Sequence, residues 1–132
     1  MHHLVYTSTA TIPLTETELH QLLAHWRATN IRLGITGILL YSEGRLMQVL
    51  EGEAPAVHRL FAAITGDARH RGVTKLADGP VDGRAFADWS MRFRTVPPDD
   101  FTRFVLPPNA APDAISSLLV LIQGFMAQEP LV

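Results

Sequence analysis

Apolar residues recur along this chain with two periods, and the change of period marks out its elements. LVYTSTA (Leu4 to Ala10) is rich in strand formers and is followed by Pro13. In LTETE, Thr15 as N-cap with Glu18 three residues on makes a capping box, across which Leu14 can staple onto Leu19. Leu19, Leu22, Leu23 and Trp26 then fall at i, i+3, i+4 and i+7, one apolar stripe of a helix that has Arg27 and Asn30 near its C-terminal end. ITGILLY (Ile35 to Tyr41) and RLMQVLE (Arg45 to Glu51) predict an antiparallel hairpin turning at Ser42-Glu43-Gly44. Pro55 suits the first turn of a second helix, Val57, Leu60, Phe61 and Ile64 form its stripe, and Gly66 is placed for a left-handed cap. After a turn at Asp67 to His70, Val73 to Leu76 and Ser90 to Val96 are weaker strands, joined by a connection containing Gly79, Pro80 and Gly83.

The order β-α-β-β-α-β-β predicts an α+β, ferredoxin-like fold with both helices on one face of the sheet. The other face needs a cover, because Val5, Met47 and Val49 point to it where a solvated face would be polar. Beyond the spacer VLPPNAAP, Ile115, Leu118, Leu119, Ile122, Phe125 and Met126 keep helical spacing, with Val120 and Leu121 adding apolar surface off the stripe. This C-terminal helix is expected to dock on the sheet's back, to form a subunit interface, or both. The resulting division is a domain over 1–97 and a linker with an apolar helix over 98–132.

Composition narrows the partners. At 132 residues, 47% hydrophobic and 18% charged, the chain suits one globular domain. A net charge of −2 leaves no basic excess for a phosphate backbone, and Arg69-His70-Arg71 is the one compact cationic cluster, so nucleic acid is not favoured. The chain has no cysteine, its opening MHHLVYTS lacks a signal-like segment, and its apolar run Leu118 to Ile122 is far short of a membrane span. The expectation is a cytoplasmic protein off the membrane.

Motif searches exclude more than they find. Gly34-Ile-Thr-Gly37 reads as punctuation before a strand and not as a phosphate loop. His20 and His25, five apart, diverge around a helix, and no metal is assigned. Ser8, His70 and Asp67 could be imagined as a triad, yet no nucleophile elbow is present. What remains is polar groups on inward faces. Gln48 lies between Leu46 and Leu50, and a primary amide buried without partners costs about 1–3 kcal/mol. Tyr6 shares a face with Leu4 and Ser8, and Asn30 sits on an otherwise apolar helix. Each alone has a plain structural reading: a satisfied phenol, a helix cap, an amide bridging a neighbouring strand. Together they suit a flat, hydrogen-bonding ligand between sheet and helices.

With these residues in view, LVYTSTA, NIRLGITGILLYSEGRLMQVLEGE, DARHRGV and RAFADWSMRF resemble the BLUF family of flavin-binding blue-light sensors. The resemblance covers about residues 1–96. It implies a photoreceptor and not an enzyme, with FAD or FMN bound non-covalently between the two helices. Tyr6 matches the family's photoactive tyrosine, Gln48 the glutamine between it and the flavin, and Asn30 an asparagine at the ring's polar edge. Asp67 and Arg69 match groups near the pyrimidine side or the ribityl chain; Ile35, Leu40 and Ile64 are expected as apolar walls, with Ser8 beside Tyr6. Trp89 and Met91, two apart on one expected strand face, match the family's signal-relay pair. Light-driven electron and proton transfer from the tyrosine, with rearrangement of the glutamine, is implied to give a reversible red-shifted state relayed to an unidentified downstream protein or within a homo-oligomer. Ala63 and Thr29 depart from the family pattern at positions where larger polar groups are common, which points to weaker flavin binding, and Leu46-Met47 replaces an aromatic pairing before the glutamine. The rival reading is a ferredoxin-like binding or assembly module that has lost light sensing. A small flavin-dependent or acyl-transfer enzyme ranks last, for want of a nucleophile, a metal site and a nicotinamide site.

Overall fold

The computed structural model of the chain describes residues 1–11, 14–87, 90–107 and 110–127. Its elements are β1 (His2–Ala10), α1 (Glu16–Leu33), β2 (Thr36–Ser42), β3 (Arg45–Gly52), α2 (Ala54–Thr65), β4 (His70–Pro80), β5 (Arg92–Thr95), α3 (Pro98–Phe104) and α4 (Pro112–Ala127). Local chemistry sets most boundaries. Thr15 Oγ1 accepts from the Glu18 amide at 3.1 Å and Glu18 Oε1 accepts from the Thr15 amide at 3.2 Å, which completes the capping box. Gly34, at φ 68°, closes α1: its N–H bonds the Ile31 carbonyl and the Ile35 N–H bonds that of Asn30, a Schellman pair that fixes the turn carrying Asn30. Glu43 and Gly44 both have positive φ between the paired residues Ser42 and Arg45, the geometry of a tight hairpin turn; Pro13 lies outside the described residues.

The sheet has the order β4-β1-β3-β2-β5, antiparallel except that β5 lies parallel to β2. The fold is the expected ferredoxin-like α+β arrangement, with four helices among the described residues. β4 runs past its expected end to include Gly79 and Pro80, because as an edge strand it tolerates a proline without an N–H. The cap of α2 differs from expectation: Gly66 is right-handed at φ −83°, and a tight Asp67 N–H to Ile64 carbonyl bond of 3.0 Å ends the helix instead. Gly37, read as punctuation, lies inside β2, where an added Cβ would sit 1.8 Å from the Val49 carbonyl oxygen.

Two apolar layers flank the sheet. In front, Leu4, Tyr6, Leu39, Leu46 and Leu50 pack with Leu19 and Leu23 of α1 and Val57 of α2. Behind, Val5, Ile38, Leu40, Met47 and Val49 pack with Phe101 and Phe104 of α3 and with Leu118, Ile122 and Met126 of α4. The C-terminal helix thus covers the sheet's back, while Val120 and Leu121 stay exposed on it. Glu51, fully buried, accepts from the amides of Ala85 (2.6 Å) and Phe86 (3.0 Å), and so moors the β4–β5 connection to β3.

Candidate functional site

Front-face residues of β1 and β3 meet in register, so that Tyr6 lies directly opposite Gln48, with Leu39 of β2 on its far side. Over this patch α1 and α2 enclose a cavity of about 210 Å³. Its floor is Tyr6, Leu39, Leu46 and Gln48; α1 contributes Leu22, His25, Trp26, Thr29 and Asn30, and α2 contributes Leu60, Ala63 and Ile64. Leu14, Asp67, Arg69 and His70 complete the lining. The stripe residues Leu22, Trp26, Leu60 and Ile64 are only half-buried because they face this cavity and not another element.

The polar groups have defined partners. Gln48 Oε1 accepts from the Tyr6 hydroxyl, and Gln48 Nε2 donates to Met91 Sδ at 3.4 Å, which settles both ends of the buried amide. Burial, reinforced by the negative Asp67, pushes the Tyr6 phenol well above its usual range, so it stays neutral throughout the physiological pH range. Its ring packs on Phe61 at 5.4 Å. Asn30 Nδ2 donates to the Ser90 carbonyl at 2.7 Å, and Arg27 Nε donates to the Met91 carbonyl at 2.9 Å. Helix α1 therefore clasps the segment that presents Met91 to Gln48. Asp67 takes Arg69 in a two-pronged pair, with Nε 2.9 Å from both carboxylate oxygens, and the Arg69 hydrogen bond holds the Asp67 carboxyl down at about 2.

Not every expected residue reaches the cavity. Leu40 packs into the layer behind the sheet, and its neighbour Leu39 takes the wall position. The run ILLY could not show this, since β2 is buried on both faces and carries no alternation. Ile35 is buried in the front layer without lining the cavity. Ser8 is one step removed: its Oγ lies 2.9 Å from His70 Nδ1, while His70 Nε2 donates to the Ile64 carbonyl. Because a carbonyl only accepts, Nε2 carries a proton, and Nδ1 is left to pair with the Ser8 hydroxyl. With Asp67 committed to Arg69, the three do not form a triad. Met91 precedes β5 and so lies off the strand expected from Ser90; its expected partner Trp89 lies outside the described residues. His70 lines the cavity, although the sequence suggests it only for a cationic cluster and an imagined triad; its place in DARHRGV was the available signal.

An aliphatic chamber edged by amides and an Asp-Arg pair fits a flat heterocycle with polar edges. The family described as sensors of blue-light using FAD, BLUF, matches residues 1–92. The chain belongs to the BLUF family. Among curated relatives, the photoactivated adenylate cyclase subunit beta of Euglena longa is 36% identical over 93 residues, which are 70% of this chain and 11% of that one. Its Euglena gracilis counterpart is 38% identical over 96 residues. The chain therefore spans about a tenth of these relatives' length. Among solved structures, BlrB, a BLUF protein in its dark state, is 31% identical with a TM-score of 0.78, covering 94% of this chain and 96% of its own. BlsA in its photo-activated state is 27% identical with a TM-score of 0.78, covering 92% and 94%. Klebsiella pneumoniae BlrP1 with FMN and cyclic diGMP is 30% identical, with a TM-score of 0.70 over 96% of this chain and 34% of that one. As a BLUF domain the chain is a flavin-binding blue-light sensor. Among the described residues no helix is long and apolar enough to cross a membrane.

Proposed function

We propose that light sensing in this chain runs through Tyr6 and Gln48 and that Met91 reads the state of Gln48. The observation that carries this reading is the single amide held at one end by the Tyr6 hydroxyl and at the other by the Met91 sulfur. A flavin bound in the cavity supplies the absorption of blue light and the oxidising power. Asn30, Gln48, Asp67 and Arg69 would hold its polar edges, with Leu39, Leu46 and Ile64 as walls and Ser8 steadying His70 behind them.

The neutral Tyr6 phenol gives up an electron readily only if its proton has somewhere to go, and Gln48 Oε1 is the acceptor already hydrogen-bonded to it. A carboxamide has an acceptor oxygen and a donor nitrogen, so rotation or tautomerisation of Gln48 reverses the polarity it presents at both ends. Reversal takes the N–H away from Met91 Sδ and puts an acceptor against an acceptor. The Ser90-Met91 segment then loses one of its anchors. Beyond it, Arg94 of β5 donates to the Phe125 carbonyl at 2.7 Å and lies over the Phe125 ring at 4.2 Å, a physical link to α4. On this reading residues 98–132 are the output side of the domain, and exposed Val120 and Leu121 are where a second copy or a downstream protein docks. The absence of cysteine in the sequence supports a cytoplasmic setting.

FAD is proposed over FMN, because a second cleft of about 360 Å³ shares Leu14, Leu22 and Arg69 with the first and gives a dinucleotide tail a path. The test is a pair of variants. Tyr6→Phe and Gln48→Leu are each expected to retain bound flavin and to lose the light-induced red shift; a normal photocycle in either refutes the assigned roles. Chromatography of the cofactor released from protein loaded with both flavins checks the second claim, and FMN as the sole product would refute it.

A further inference from the structure

Four residues before Tyr6 on the same face of β1, about 14 Å away along the strand, His2 meets two other ligand-type side chains. We propose that His2, His58 and Asp78 form a binding site for a divalent transition-metal ion of the Zn²⁺ type. Both imidazoles direct Nε2 at one atom, Asp78 Oδ1, with His58 at 2.8 Å and His2 closer still. The ligand atoms of the three all lie within 4.8 Å of one another. A tetrahedral ion with bonds of about 2.0–2.1 Å needs ligand atoms about 3.3 Å apart, so the cluster reaches that geometry by small side-chain movements.

The backbone builds this convergence from three elements. His2 is fixed between Gly52 of β3 and Pro80 of β4, and the Val81 N–H to Met1 carbonyl bond of 3.0 Å closes the end of the pairing. His58 follows the fully buried Val57 on α2, which anchors that turn of the helix against the sheet. Asp78 arrives through a bulge. The register of β4 against β1 slips between Val5 and Tyr6, so that Leu76 and Ala77 both pack behind the sheet. Lys75 and Asp78, which a regular strand would send to opposite faces, consequently sit together in front, with Lys75 Nζ 2.9 Å from Asp78 Oδ2.

That contact divides the carboxylate's work. Lys75 holds Oδ2 and orients the group, leaving Oδ1 to the ion, as outer partners do for metal-ligating carboxylates. For each imidazole the exchange is simple: the proton on Nε2 that now bonds Asp78 moves to Nδ1, and the Nε2 lone pair turns to the metal. Two imidazoles and one carboxylate, with no thiolate, select Zn²⁺ or its late first-row neighbours over Mg²⁺ and Ca²⁺, and a water can complete the coordination. Spacing along the chain concealed the site, since its members stand 20 and 76 residues apart.

The experiment is calorimetric titration of the full chain with ZnCl₂, beside His58→Gln, Asp78→Asn and, as a control, His20→Ala. His20 pairs with Glu16 at 3.7 Å and is an exposed histidine on a helix, away from the cluster. The expected result is one Zn²⁺ per chain, affinity reduced at least tenfold in both site variants and unchanged in the control, and a melting temperature that Zn²⁺ raises in the wild type and the control but not in the site variants. His58 is exposed, so its variant keeps the fold, which circular dichroism verifies. No binding by the wild type, binding undiminished in both site variants, or loss of binding in the His20 variant would overturn the proposal.

Discussion

At the scale of single residues, the proposed switch rests on groups that are buried yet partnered. Tyr6, Asn30 and Gln48 are each nearly inaccessible, and each spends its polar atoms on a neighbour that leads elsewhere: Gln48, Ser90 and Met91 respectively. Tyr6 and Gln48 were legible in the sequence because period two placed Gln48 between Leu46 and Leu50, and Tyr6 between Leu4 and Ser8, on inward faces. Leu40 was placed on the wrong face because β2 is apolar on both sides, and the contact of Gln48 with Met91 was hidden because Met91, expected within a strand from Ser90, sits before β5. The Asp67-Arg69 pair gives a titration with a definite sign. The Arg69 hydrogen bond lowers the Asp67 carboxyl from 3.8 to about 2, so its contribution to stability is present above 3.8 and is lost as pH falls towards 2. Melting temperatures of the wild type and Asp67→Asn should therefore differ modestly at pH 5 and converge near pH 2, the pair being partly exposed. A gap that persists at pH 2 would assign the difference to something other than this charge.

At the scale of elements, start signals were the most legible part of the chain. The Thr15/Glu18 box and Pro55 in the first turn of α2 act as their chemistry requires, whereas Gly66 is not the left-handed cap expected and Gly34, read only as punctuation, is the one that caps α1. Helix α3 was overlooked, although Pro98 followed by Asp99 and Asp100 is a helix start and Phe101 with Phe104 is its buried side. Seven residues are too few for a periodic signal to stand out. The far end of β4 was cut short because Gly79 and Pro80 read as a loop, whereas an edge strand accepts both. The hairpin of β2 and β3, which aligns Leu39 with Gln48, depends on the bare backbone of Gly37. Gly37→Ala would drive a methyl into the Val49 carbonyl, and chemical denaturation should show a loss of more than about 2 kcal/mol. A loss under about 0.5 kcal/mol would mean that the hairpin can separate without cost.

At the scale of the whole molecule, the sheet divides the work between its faces. The front holds the chamber with Tyr6 and Gln48, the proposed switch; the back is closed by α3 and α4, where the bond from Arg94 to the Phe125 carbonyl is the proposed outward route. The need for a cover was legible from Val5, Met47 and Val49, but the choice between cover and interface was not, because an apolar helix serves either. Helix α4 does cover the back, with Ile122 completely buried against it. Ile122→Ala should therefore cost about 2–5 kcal/mol in thermal or denaturant unfolding, and a silent substitution would show that α4 is not part of the core. The most direct test of the account is the absorption spectrum of the purified, flavin-loaded protein in the dark and immediately after blue light. The account predicts a small red shift of the flavin bands that reverses in the dark with no net change of redox state. Bound flavin whose spectrum does not shift would leave the fold and the chamber standing and would contradict the claim that Tyr6 and Gln48 form a switch.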